Sequence, residues 1–111
     1  DSNYRERLRG ADLSNADLTS SDLRRADLRG SILAGTTLRD SNLRDCNFKG
    51  ADLNEAHFVD SDLRGANFTG ADLTGAVFRG TNLDESRFTA AQVQQMRISS
   101  ELGEEVVVVE D

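Results

Sequence analysis

The strongest constraint on this 111-residue chain is a large apolar side chain at every fifth position. The series runs without interruption from Leu8 to Val93 and includes all five phenylalanines. From Ala11 onwards, the residue two places earlier is Ala, Ser, Thr or, once, Cys46. Eight of the nine glycines lie two places after an apolar residue of the series. One five-residue unit is therefore repeated along most of the chain.

A period of five fits neither a regular helix nor a long strand. In an α-helix, successive repeats would be rotated by about 140°, which spreads the apolar residues over every face. In a strand, an odd period alternates them between the two faces. All of them stay inside if the chain turns once per repeat. The small and the large apolar residues then face inward, and the Asp or Asn between them faces outward. The last two residues form the corner, where Gly tolerates the required dihedral angles.

Several units carry a family resemblance: Ala11–Asn15 reads A-D-L-S-N, Ala26–Gly30 reads A-D-L-R-G and Ala71–Gly75 reads A-D-L-T-G. They resemble the A-D/N-L-x-x unit of the pentapeptide-repeat proteins. The resemblance implies an all-β fold, a right-handed quadrilateral parallel β-helix with four repeats per coil. Residues 6–95 would then form just over four coils, roughly 20 Å long at about 4.8 Å per coil.

Four repeats per coil place residues 20 apart above one another. Phe48, Phe68 and Phe88 are then stacked on one side of the core, and Phe58 and Phe78 on the opposite side. We interpret these rings as core packing rather than as an aromatic binding site, because stacked like side chains exclude water. The predicted core comprises Leu13, Leu18, Leu23, Leu28, Leu33, Leu38, Leu43, Phe48, Leu53, Phe58, Leu63, Phe68, Leu73, Phe78, Leu83 and Phe88.

Both ends of such a solenoid must be covered. Residues 1–5 are predicted to form an N-terminal cap, with Tyr4 as a candidate lid. At the other end, residues 89–96 contain good helix formers and no glycine. The sequence predicts a capping helix over 90–97, with Thr89 as its N-cap and Gln92 able to serve as the capping-box partner.

Residues 98–111 form an acidic tail whose run of valines favours an extended segment. Three arrangements remain open: a strand on its own solenoid, a strand that pairs with another subunit, and disorder. The second arrangement would give a homodimer through the C-terminal segment. The residues that would hold it are Met96, Ile98, Val106, Val107, Val108 and Val109.

The net charge of −7 argues against nucleic acid as a direct partner, and no apolar run approaches the length of about 20 residues that spans a membrane. By face, the repeats centred on residues 8, 28, 48, 68 and 88 sum to +3, and those on 13, 33, 53, 73 and 93 sum to −4. Some proteins of the resembling family act on DNA gyrase as acidic DNA mimics. DNA carries one negative charge per about 1.7 Å. Basic columns make this chain a poor mimic: Arg9, Arg29 and Lys49, and Arg24, Arg44 and Arg64.

Few side chains suggest chemistry. Cys46 occupies an inward position and is predicted to be a buried thiol rather than a nucleophile. The column of Asp12, Asp52 and Asp72 is interrupted by Ile32, so no metal site is expected there. No nucleophile–base pair, phosphate-binding loop or zinc spacing occurs.

His57, Val59 and Val77 are predicted to lie outward on one face in adjacent coils. They form a candidate contact patch. The alternative is that they are ordinary scattered surface residues, with His57 a surface histidine.

These features predict a non-enzymatic interaction or scaffold module that needs no cofactor and binds an unidentified protein partner. The alternative is a DNA-mimic topoisomerase (gyrase) inhibitor. The resemblance implies a cyanobacterial or chloroplast origin, and cytoplasm, periplasm and thylakoid lumen remain open as locations. The chain begins at Asp1, which is compatible with a cleaved targeting segment and equally with a trimmed sequence.

Overall fold

The computed structural model describes residues 8–98 and the backbone of residues 107–109. Its regular elements are strand β1 (Arg87–Thr89), helix α1 (Ala90–Ile98) and strand β2 (Val107–Val109). Before β1, the chain consists of tight turns joined by single bridge pairs. The predicted N-terminal cap with Tyr4, residue Val106 and the side chains of Met96 and Ile98 lie outside the described part.

Parallel pairing joins residues that are 20 apart. The bridge pairs begin with Asp12 and Ile32 and continue up the chain to Asn67 and Arg87. In the first, Leu13 N–H donates to the carbonyl of Ile32 at 2.7 Å, and Ile32 N–H donates to the carbonyl of Ala11 at 2.8 Å. An offset of 20 equals four pentapeptides, so the chain completes one coil every four repeats, as the resemblance implied.

Each repeat ends in a turn closed by a main-chain hydrogen bond, as from Ala16 N–H to the carbonyl of Leu13 at 3.1 Å. The fifth residue of the repeat has a positive φ at every corner from Gly10 to Glu85, and the fourth does not. Together with the hydrogen bond, this pattern defines type II turns. Glycine occupies eight of these corners and other residues occupy eight, Arg25 with a φ of 61° among them. A left-handed conformation costs a non-glycine residue roughly 1–2 kcal/mol, so the coil pairing holds these corners in place.

The predicted core is confirmed from Leu28 to Phe88, where every member is buried. Phe68 lies between Phe48 and Phe88, with ring centroids 5.0 and 4.9 Å away and planes within 6° of parallel. Phe58 and Phe78 form the second stack at 5.1 Å. The members in the first coil are only partly buried, because the end of a solenoid packs against one neighbouring coil; they are Leu13, Leu18 and Leu23.

Inward serine and threonine hydroxyls bond to main-chain carbonyls, some of them three residues earlier, as Ser31 to Leu28, and others in the coil below. Thr36 Oγ1 donates to the carbonyl of Leu13 at 2.7 Å, and Ser41 Oγ donates to that of Leu18 at 2.9 Å. Small polar residues are therefore tolerated inside because their hydroxyls are paired.

Helix α1 begins at Ala90, as predicted, and ends at Ile98, one residue beyond the predicted range of 90–97. Thr89 Oγ1 accepts the N–H of Gln92 at 3.2 Å, and Gln92 Oε1 accepts the N–H of Thr89 at 2.8 Å. This reciprocal pair is the capping box that the sequence indicated. Strand β2 then pairs in parallel with β1, Phe88 opposite Val108, again at an offset of 20. For residues 107–109, the strand thus lies on its own solenoid.

Candidate interaction surface

Outward Asp and Asn side chains brace the corners of the solenoid. Asp12 Oδ1 accepts the N–H of Ser14 at 3.1 Å and its hydroxyl at 2.7 Å. These hydrogen bonds lower the pKa of Asp12. The same main-chain bond to the residue two places on is made by Asp17, Asp22, Asp27, Asn42, Asn47, Asp52, Asp62, Asn67, Asp72 and Asn82. The sequence reasoning missed this role, although Asx turns have this spacing. These seven aspartates therefore have a structural role.

Arg24, Arg44 and Arg64 lie at the same position of three successive coils. The guanidinium of Arg24 forms a two-point pair with Asp22, from Nε to Oδ1 at 2.9 Å and from Nη2 to Oδ2 at 3.0 Å. Arg64 pairs in the same way with Asp62, at 2.8 and 2.5 Å. These side chains are about half exposed, so the pairs hold the guanidinium groups at the surface in a defined orientation.

A second basic column lies at the next corner of the coil. Asp27 accepts hydrogen bonds from Arg29, at 2.8 and 2.7 Å, and from Arg9, at 3.1 and 2.8 Å. The Arg29 guanidinium, with Arg9 beside it, holds the pKa of Asp27 well below its usual range. Lys49 continues the column one coil further and is exposed. One carboxylate thus orients two arginines that belong to different coils.

A shallow cleft of about 250 Å³ opens beside the first column. It is lined by Arg24, Arg25, Arg44 and Asp45. Arg44 has a neutral Asn42 where Arg24 has Asp22, and Nε of Arg44 lies 3.9 Å from the carboxylate of Asp62. The cleft therefore has more cationic than anionic groups, although the whole chain is acidic.

Charge is segregated around the solenoid. In residues 8–98, the face centred on Leu28 and Phe48 has four cations and one carboxylate: Arg9, Arg29, Lys49, Arg87 and Asp27. The face centred on Leu33 and Leu53 has four carboxylates and no cation: Asp12, Asp52, Glu55 and Asp72. Ile32 lies between two of these carboxylates and is 39% exposed. The described part has no three His, Cys, Asp or Glu side chains placed to hold a metal ion.

Cys46 lies in the core, where its Sγ donates to the carbonyl of Leu23 at 2.8 Å. Burial raises the pKa of the Cys46 thiol to about 12. The predicted buried thiol is confirmed, and its raised pKa favours the protonated form at neutral pH.

The structure corrects the candidate contact patch. His57 is exposed and Val77 is partly exposed, but Val59 is buried, at 5% exposure. Its column neighbours one coil below and above are Arg39 and Arg79, whose aliphatic stems can cover a short valine. The prediction that Val59 is exposed was wrong, because it considered direction and ignored the length of neighbouring side chains.

The family match to this chain coincides with its repeats. The family described as pentapeptide repeats matches in eight copies, over residues 7–33, 21–60, 31–70, 41–80 and 61–95. No protein of curated function matches the sequence significantly. Within the described residues, no helix is long and apolar enough to cross a membrane.

One solved structure shares the fold, and two others match with TM-scores below 0.5. A pentapeptide repeat protein of the Arabidopsis thaliana thylakoid lumen is 33% identical, with a TM-score of 0.73; the match covers 76% of this chain and 58% of that one. A pentapeptide repeat protein of Nostoc PCC 7120 is 26% identical over 95% of this chain and 89% of its own, with a TM-score of 0.43. QnrB1, a plasmid-mediated fluoroquinolone resistance protein, is 18% identical over 91% of this chain and 57% of its own, with a TM-score of 0.44. With its unbroken repeats and 20-residue coil offset, the chain belongs to the pentapeptide-repeat family of right-handed β-helices.

Proposed function

We propose that this protein is a non-enzymatic interaction module whose outer surface binds a protein partner, on a solenoid of just over four coils. The observation that carries the proposal is the set of roles that its polar side chains have. Outward Asp and Asn brace the turns, inward hydroxyls bond to carbonyls, and the long cations form oriented columns at the surface. Such a surface is suited to recognition by a rigid scaffold rather than to chemistry.

The relative from the Arabidopsis thylakoid lumen suggests where to look for the partner. Our chain spans only 58% of that protein, so we extend its setting to this chain as an expectation. Affinity capture from thylakoid and cyanobacterial extracts, quantified by mass spectrometry, should enrich a protein with the folded module. The heat-unfolded module serves as the control. Failure to enrich any protein above that control would contradict the proposed function.

We also propose that the C-terminal segment supports a homodimer. Strand β2 pairs with β1 along one edge, and its other edge has no partner among the described residues. A strand edge of valines can pair with a second chain. Removal of residues 98–111 should convert a dimer to a monomer in light scattering. An unchanged mass would rule out this arrangement.

Gyrase inhibition by DNA mimicry is the alternative, and the charge distribution argues against it. Oriented arginines occupy one side of the solenoid, where a mimic of duplex DNA needs a continuous series of negative charges. We expect no effect of this protein on gyrase supercoiling at micromolar concentration. Inhibition in that assay would make DNA mimicry the better explanation.

A further inference from the structure

We propose that the corner formed by Arg24, Arg25, Arg44 and Arg64 is the recognition site for an acidic helical segment of a protein partner. A partner carboxylate would occupy the cleft lined by Arg24, Arg25, Arg44 and Asp45. The inference rests on the proposed interaction function and names the surface and the partner chemistry for it.

The guanidinium groups at this corner are oriented before any partner arrives. In their two-point pairs, Arg24 and Arg64 each use Nε and one N–H of Nη2. A guanidinium has five N–H donors, so three donors of Arg64 remain for a partner. Because the intramolecular pairs already restrict the side chains, binding costs less conformational entropy than it would for mobile arginines.

The middle of the column has the least compensated charge. Arg44 follows Asn42 rather than Asp, and Nε of Arg44 lies 3.9 Å from the carboxylate of Asp62. Arg25 is exposed and makes no ion pair with a described residue. The carboxylate of Asp45 is directed to the next coil, since its Oδ1 fills the space beside Gly65 where a Cβ would lie. Arg25 and Arg44 can therefore both donate to one added carboxylate.

The partner geometry follows from the coil spacing. Adjacent coils are separated by the distance between paired strands, about 4.8 Å, so the backbone positions of Arg24, Arg44 and Arg64 form a row with this repeat. Glutamates one turn apart on a helix are separated by about 5–6 Å. A row of glutamates on one helix face matches this row better than the phosphates of a duplex, which wind around their axis. The adjacent face, with four cations and one carboxylate, offsets the five carboxylates that accompany the four arginines on the face of this row.

The test uses the whole protein and a fluorescein-labelled helical peptide with one glutamate per turn on one face. Its counterpart has glutamine at the same places. Binding is followed by fluorescence anisotropy at low and at physiological salt. The protein variants are Arg44→Gln and Arg25→Gln, with Arg79→Gln on another face as the matched control. Circular dichroism and thermal melting check that each variant is folded.

We expect the glutamate peptide to bind and the glutamine peptide not to bind. Loss of a charge-assisted hydrogen bond in Arg44→Gln should weaken binding roughly tenfold, while Arg79→Gln binds like the unaltered protein. The proposal is overturned if both peptides bind equally, if neither binds, or if Arg44→Gln and Arg79→Gln bind equally. It is also overturned if short duplex DNA binds more tightly than the peptide, or if inorganic phosphate displaces the peptide at equal concentration.

Affinity capture separates this inference from the function on which it rests. If the unaltered protein and Arg44→Gln enrich the same partner equally, the interaction function remains and the arginine site is wrong. If peptide binding depends on Arg44 but no protein is captured, the site remains and the interaction function is in doubt.

Discussion

Gln92 supplies with its side chain a hydrogen bond that the main chain supplies in the coils below. Asp72, which lies one coil earlier in the same column, donates its backbone N–H to the carbonyl of Ala51 at 3.0 Å. At residue 92 the backbone has turned into helix α1, and Gln92 Nε2 donates instead to the carbonyl of Ala71 at 2.9 Å. The last coil therefore ends without an unpaired carbonyl at this position. We expect Gln92 to be the main polar contact that fixes the helix on the solenoid.

The cost of removing Gln92 can be worked out from its contacts. Its side-chain amide also donates to the carbonyl of Phe68 at 2.8 Å and accepts the N–H of Thr89 at 2.8 Å, and the residue is only 8% exposed. Each buried hydrogen bond contributes a net of about 1 kcal/mol. Gln92→Ala removes three and leaves the carbonyl of Ala71 unpaired, so the free energy of unfolding should fall by about 3–4 kcal/mol. For a domain of this size, the melting temperature should fall by more than about 12 °C.

Urea denaturation and thermal melting measure the loss, and Gln94→Ala on the same helix is the matched control because Gln94 is exposed. Equal losses in the two variants would refute the reasoning. The variant Gln92→Glu adds a second test, the pH dependence of its stability. Its carboxyl must be protonated to donate to a carbonyl, so its folded-state pKa should exceed the unfolded value of about 4.3. The stability of this variant is then highest below about pH 4.3 and falls relative to the unaltered protein as the pH rises. A pH-independent difference would contradict this assignment.

Three further predictions concern the coils. Gly30→Ala and Gly80→Ala should each cost about 1 kcal/mol of the free energy of unfolding, because both glycines have a positive φ. The atom nearest to an added Cβ at Gly80 is the terminal oxygen of the Asp60 side chain, which can rotate away, so a much larger loss for Gly80→Ala in urea denaturation would contradict this. The lowered pKa of Asp27, caused by its bonds to two arginines, stabilises the fold above about pH 4, and this contribution is lost as the pH falls. Urea titrations between acidic and neutral pH should show a smaller acid loss for Asp27→Asn, and an unchanged loss would be inconsistent with that role. Cys46 should resist thiol reagents in the native state at pH 8 and react once the protein is unfolded, because burial raises the pKa of its thiol to about 12. Rapid labelling of the native protein would contradict this prediction.

The sequence predicts the coils because their cause is local and repeated. A large apolar residue every five positions forces one turn per repeat. The stack of Phe48, Phe68 and Phe88 follows only with four repeats per coil, which the family resemblance implied and the bridge pairs show. The exposure of Val59 depends instead on the length of neighbouring side chains, which the period does not contain. The non-glycine corners, such as Arg25, were not predicted either, because the energy that holds a strained φ comes from pairing between coils rather than from the residue itself.

The residues of the candidate surface also fall into two groups, those that the repeat explains and those that it does not. A repeated Asp or Asn is accounted for by the turn that it braces, so the seven aspartates that do this say nothing about a partner. The informative positions are those where the repeat gives no structural reason for the residue. Asn42 leaves Arg44 without the carboxylate that Arg24 and Arg64 each have. Because Arg44 lines the cleft, its weakly compensated charge is better explained by binding than by folding.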